Sequence, residues 1–92
     1  MPLIVLEVPS PLRRAAGGTR EVAAEGETVA EALASLRGSR PALARLILQD
    51  SHAPRPGVSL FLNGTQLEAA GRLEATLAPG DRLAVLLPIA GG

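Results

Sequence analysis

Aliphatic residues run without interruption from Leu3 to Leu6 and reappear at Val8, where Pro9-Ser10-Pro11 breaks the run, so the pattern predicts a strand followed by a forced turn. Beyond Gly17-Gly18, the stretch from Thr19 to Glu25 alternates about Glu21-Val22-Ala23 with the period of a second strand, and the two strands form a hairpin with a long connection. The period then changes to that of a helix. Thr28-Val29-Ala30-Glu31 places a hydroxyl at the cap and a carboxylate three positions on, a capping box, and Val29, Leu33 and Leu36 share one face. Gly38 is expected to end this helix in a left-handed cap. Pro41 opens a second, shorter helix with Leu43, Leu46 and Ile47 on its apolar side.

Residues 51–57 contain two prolines and a glycine and read as an exposed connection. Val58 to Leu62 then runs into Asn63-Gly64, the strongest two-residue hairpin signal, which returns the chain into a short strand around Gln66-Leu67. Ala78-Pro79-Gly80-Asp81 is a further turn, and Arg82 to Leu87 is a final strand. A first hairpin, a helix crossing one face and a last strand parallel to the first define an α+β chain of the β-grasp type. The expectation is a mixed sheet of four to five strands with one main helix and one short helix. At 92 residues the chain has room for one core, expected over residues 1–87, with residues 88–92 as a flexible tail.

Strand alternation also sorts the open face from the covered one. Val58, Leu60 and Leu62 share a side and leave Ser59 and Phe61 on the other, while Leu83, Val85 and Leu87 oppose Arg82, Ala84 and Leu86. With the aliphatic trio against the helix, Phe61 and Leu86 form an apolar patch on the uncovered face, a candidate docking surface. Arg13 and Arg14, on the loop after the first strand, are candidate contacts for an acidic partner.

Composition narrows the chemistry. Apolar residues make up 47% of the chain, but Phe61 is the sole aromatic, so the core is aliphatic and platforms for stacking bases are missing. Nine basic and nine acidic residues cancel, which argues against nucleic acid and against an anionic membrane surface as partners. No apolar run approaches membrane-spanning length, and the segment from Met1 to Val8 is too short for a signal sequence, so a cytoplasmic location is expected. The absence of cysteine excludes a thiolate nucleophile, a disulfide framework and a thiolate-ligated metal. His52 sits in a Pro-rich stretch without nearby ligands, the serines lack a nucleophile elbow, and Gly17-Gly18 lacks the residues of a phosphate loop. No catalytic residue and no metal ligand is assigned. All nine basic residues are Arg, a bias that codon usage or a heat-adapted source accounts for first; a chain without lysine also offers no surface amine for an activated C-terminus to acylate.

The end of the chain carries the candidate chemistry. Val85-Leu86-Leu87 passes through Pro88-Ile89-Ala90 into Gly91-Gly92, and two glycines let a backbone enter a narrow channel in another protein. From Pro88 onward the tail reaches roughly 15 Å when extended. A bare carboxylate is unreactive, but adenylation converts it into an acyl electrophile, and attack by a sulfur donor leaves a nucleophilic thiocarboxylate.

Leu12-Arg13 with Gly17-Gly18, Glu25-Gly26-Glu27-Thr28-Val29, Leu62-Asn63-Gly64, Pro79-Gly80-Asp81-Arg82-Leu83 and Ile89-Ala90-Gly91-Gly92 together carry a resemblance over essentially the whole length. The chain resembles the bacterial sulfur carriers, a family that includes the molybdopterin synthase small subunit, the thiamine-pathway carrier and the carrier for cysteine synthesis. That resemblance implies a carrier protein rather than an enzyme. It also implies a Gly92 carboxylate adenylated by a ubiquitin-activator-like enzyme that uses the ATP, with no cofactor bound to the chain itself. A sulfur donor and a sulfur-accepting biosynthetic enzyme complete the implied partners, with Gly91, Ala90 and Ile89 entering the partner beside Gly92. Pro9-Ser10-Pro11-Leu12-Arg13 and Gly17-Gly18 look most like the cysteine-synthesis carrier. Pro88 sits as in the molybdopterin subunit, whereas Leu87 departs from the proline common to both. A ubiquitin-like modifier of target lysines and a β-grasp binding module without chemistry remain as alternatives.

Overall fold

Residues 1–50, 53–68 and 71–87 are described by the computed structural model. Strand β1 (Leu3–Glu7) is followed by a 3-10 helix (Ser10–Ala16), strand β2 (Glu21–Glu25), helix α1 (Val29–Ser39) and helix α2 (Pro41–Ile47). Strands β3 (Ser59–Leu62) and β4 (Thr65–Gln66), a 3-10 turn (Arg72–Glu74) and strand β5 (Arg82–Leu86) complete the order. The five strands form one sheet in the order β2-β1-β5-β3-β4. β1 is antiparallel to β2 and parallel to β5, and β3 is antiparallel to both β5 and β4. This is the β-grasp arrangement expected from the order of elements.

The core lies between α1 and one face of the sheet. Ile4, Leu6, Val22, Ala24, Leu60, Leu83 and Val85 from the strands meet Val29, Leu33 and Leu36 of α1 and Leu43 and Ile47 of α2, all buried. Alternation along each strand puts these residues on the side that α1 covers, and among the described residues no helix packs on the opposite side. Leu62 and Leu87 are half-buried at the margin of the same cluster.

Local signals account for most boundaries. Thr28 caps α1, its hydroxyl accepting the Glu31 amide at 3.2 Å. The Glu31 carboxylate reaches back one residue beyond the cap, to the Glu27 amide at 3.0 Å, so the box is closed one position earlier than the standard pattern. Asn63 and Gly64 both take positive φ, 50° and 87°, as a two-residue hairpin turn requires.

Three expectations need correction. Gly38 does not end α1: the helix continues to Ser39 and terminates at Arg40, whose φ of −139° is non-helical. Pro41 sets that boundary, because its ring disfavours helical backbone at the preceding residue. Leu46 is 46% exposed, since the buried stripe of α2 runs through Leu43, Ala44 and Ile47 and leaves Leu46 about a quarter-turn away. The segment after Pro9, read as a loop, is a 3-10 helix that buries Leu12 and Ala16 and closes on Gly17 and Gly18 at φ 77° and 87°.

Candidate docking face and C-terminal exit

β5 is the central strand, hydrogen-bonded to β1 on one side and β3 on the other. Leu83 and Val85 anchor it in the core, and Leu87 beyond its end is half-buried. β5 therefore ends in the middle of the sheet rather than at its edge. Pro88, Ile89, Ala90, Gly91 and Gly92 lie outside the described residues, as do Ser51 and His52.

The open face can be read row by row from the register. Glu21, Glu7, Ala84, Phe61 and Gln66 form one row across all five strands. Phe61 is half-buried beside Ala84. Leu86 pairs with Ser59, which makes it the diagonal neighbour of Phe61, and it is 45% exposed. Phe61 and Leu86 are thus brought together on the uncovered face, with Leu86 at the end of β5 from which the C-terminal segment follows.

A charged cluster borders this apolar patch. Arg82 Nε donates to Glu7 Oε2 at 2.7 Å, and its Nη2 pairs with Glu21. The Glu7 carboxylate, and then that of Glu21, hold the Arg82 guanidinium above its ordinary pKa. One side chain from β5 thereby spans β1 to reach β2. Below it, Asp81 accepts the Ala78 amide at 2.9 Å and Asn63 Nδ2 at 3.1 Å, and Asn63 Oδ1 accepts the Arg82 amide at 2.9 Å. These bonds tie the β3–β4 turn to the turn that launches β5.

The two candidate arginines separate. Arg13 is half-buried, donates from Nε to the Val8 carbonyl at 3.2 Å, and lines a cleft of about 330 Å³ with Glu7, Arg20, Val85 and Leu86. Arg14 is exposed and does not line that cleft. Arg20, Arg82, Glu7 and Glu21 were not singled out from the sequence. Strand alternation already placed Arg82 on the open face, and the parity of Glu7 and Glu21 would have added them; only the register reveals that they meet. Among the described residues no group of three His, Asp or Glu side chains is placed to hold a metal, and no helix is long and apolar enough to cross a membrane.

The ThiS family model matches residues 6–92. The sulfur carrier protein CysO of Mycobacterium tuberculosis is 26% identical over 94 residues, covering 97% of this chain and 98% of the relative. Among solved structures, small archaeal modifier protein 1 from Methanosarcina acetivorans is 30% identical with a TM-score of 0.83, covering 100% of this chain and 98% of that one. A chain of the Amycolatopsis orientalis BexX/CysO complex is 26% identical, also with a TM-score of 0.83, over 97% of this chain and 99% of that one.

Proposed function

This chain belongs to the ThiS family, and on that premise we propose that it is a sulfur carrier whose Gly92 carboxylate is adenylated, converted to a thiocarboxylate and spent as a sulfur donor in cysteine-type biosynthesis. The observation that carries this reading is the extent of the family match, which continues past β5 through Gly91 and Gly92. The similarity to a sulfur carrier protein over nearly all of both chains supports it. Its likeness to a chain of the BexX/CysO complex supports the cysteine-type branch over the molybdopterin branch, which rests on Pro88.

The chain is a carrier and co-substrate, not an enzyme. Its chemistry is the replacement of one terminal carboxylate oxygen by sulfur, the C–S bond forming as the adenylated oxygen leaves with AMP, and the catalytic groups belong to its partners. ATP is consumed by an activating enzyme that docks on the Phe61–Leu86 patch and draws Ile89 to Gly92 into its active site. Arg13, held against Val8 beside Leu86, supplies a cationic contact at the rim of that interface. Dependence on ATP and on biosynthetic acceptors fits a cytoplasmic protein.

A second reading is favoured by one observation: a protein of similar fold at 30% identity is a small archaeal modifier. A modifier would pass the same activated carboxylate to a target lysine. The two readings are separated by charging the protein with its activating enzyme, ATP and a sulfur donor, then offering it in parallel to a cysteine-synthase-type enzyme, to the molybdopterin synthase large subunit and to lysine-bearing protein. Return of the plain carboxylate by the first acceptor alone supports the proposal. Isopeptide-linked adducts with no sulfur transfer overturn it.

A further inference from the structure

β2 forms one edge of the sheet, unbroken in register and free of proline and bulges, with Glu21 and Glu25 as its charged positions. Its backbone phase is fixed at both ends. Val8 N donates to the Arg20 carbonyl at 2.8 Å, and Gly26 N donates to the Pro2 carbonyl at 3.1 Å. Along an antiparallel pair the sense of the backbone groups alternates, so Val22 and Ala24 face β1 while Glu21, Ala23 and Glu25 turn their N–H and C=O groups outward. The Glu25 amide is taken by Ser35 Oγ at 3.3 Å, which leaves Glu21 and Ala23 with no strand beyond them among the described residues. Beside them runs a groove of about 200 Å³ lined by Leu3, Ala23, Ala24, Glu25, Ser35 and Ser39, whose predominantly small side chains leave room for a backbone. The opposite edge, β4, is only two residues long.

We infer that the β2 edge takes up an extended basic segment of a partner protein as a sixth strand. Charge decides the occupant. A second copy pairing antiparallel about Ala23 would set Glu21 against Glu25 at both ends, and like charges directly opposed destabilise a sheet. A segment with Lys or Arg at the two positions across from Glu21 and Glu25, and a small residue between them across from Ala23, turns the same geometry into attraction. Glu21 shares Arg82 with Glu7, a trio of two carboxylates and one guanidinium that keeps a net negative charge. Glu25 is exposed and makes no ion pair among the described residues, so both ends of the edge present negative charge. β2 lies two strands from β5, about 10 Å at ordinary strand spacing, so a partner holding this edge leaves the C-terminal exit open. The inference does not depend on which acceptor the terminus serves.

The test uses the full-length protein and the nine-residue probe Lys-Val-Ala-Val-Lys-Val-Ala-Val-Lys, whose Lys residues fall four apart with Ala midway between them, and a counterpart with Glu in place of each Lys. Amide NMR should show saturable shifts at Glu21, Ala23 and Glu25 and slowed exchange of the Ala23 amide with the Lys probe only. Glu25→Lys should weaken the Lys probe by about fivefold to tenfold and strengthen the Glu probe, reversing an attractive cross-strand pair. Ala23→Pro should abolish binding while amides on the β1 side stay protected, because the lost N–H faces outward. Equal binding of both probes, shifts confined to other surfaces, or no response to the Lys probe would each overturn the inference.

Discussion

Phe61 lies directly across from Ala84 in the register of β3 and β5, on the face of the sheet that no helix covers among the described residues. Phe61 is half-buried there, and Leu86 on the diagonal, 45% exposed, extends the apolar surface toward the end of β5. The docking proposal makes Phe61→Asp weaken binding of the activating enzyme by about tenfold or more, as expected for an aromatic anchor. The melting temperature should change little. Calorimetric titration and thermal denaturation of the same variant check both halves, and unfolding of the variant would place Phe61 in the core instead.

The core makes a separate prediction. Leu33 and Leu60 are 1% and 0% exposed and come from the two layers that meet beneath α1. Replacing either by Ala should cost about 2–5 kcal/mol in urea-induced unfolding. Leu46, exposed on α2, should tolerate the same change with an effect within about 0.5 kcal/mol. An equal loss at all three positions would contradict the observed packing.

How much of this was legible beforehand depends on the range of the interaction. Thr28, Pro41 and Asn63-Gly64 act through their own backbone or a neighbour a few residues away, and each boundary they signalled is present. Gly38 was misread because two local signals competed, and the restriction that Pro41 imposes on Arg40 won. Leu12 and Ala16 were hidden in a segment whose prolines read as a loop, and their four-residue spacing does not match the three-residue turn of the 3-10 helix that buries them. The Arg82 cluster was illegible for a different reason: its partners are 75 and 61 residues away, and a register not yet known brings them together.

Gly26 tests a contact that sequence patterning does not show. It is buried at the junction of β2 and α1, where an added Cβ would lie 2.5 Å from the Ala32 nitrogen and 2.6 Å from the Glu31 Cβ. Gly26→Ala should therefore destabilise the fold by about 1–3 kcal/mol, as overpacking does. Gly38→Ala, in a helical position with nothing within 4 Å, should stabilise it slightly. Urea unfolding of the pair checks the sign, and a neutral Gly26→Ala would show that the helix start can shift away.

Asp81 links stability to pH. The Ala78 amide, and then Asn63 Nδ2, hold its carboxyl below the ordinary carboxylate value. A carboxyl whose folded pKa is depressed contributes stability above its unfolded pKa, near 3.9, and loses it as pH falls through the lower folded value. Asp81→Asn should remove this acid-dependent share, so its stability curve below about pH 4 should fall less steeply than that of the parent protein. Parallel curves would mean that the two turns are held together without the charge.

The central claim is that Gly92 is the working group, and intact mass spectrometry tests it most directly. Incubation with the activating enzyme, ATP and a sulfur donor should raise the mass by the difference between a sulfur and an oxygen atom, with fragmentation placing the change on Gly92. Deleting Gly92 should abolish the shift while leaving the unfolding midpoint unchanged. A modification mapped to any other residue, or one that survives the deletion, would contradict the account.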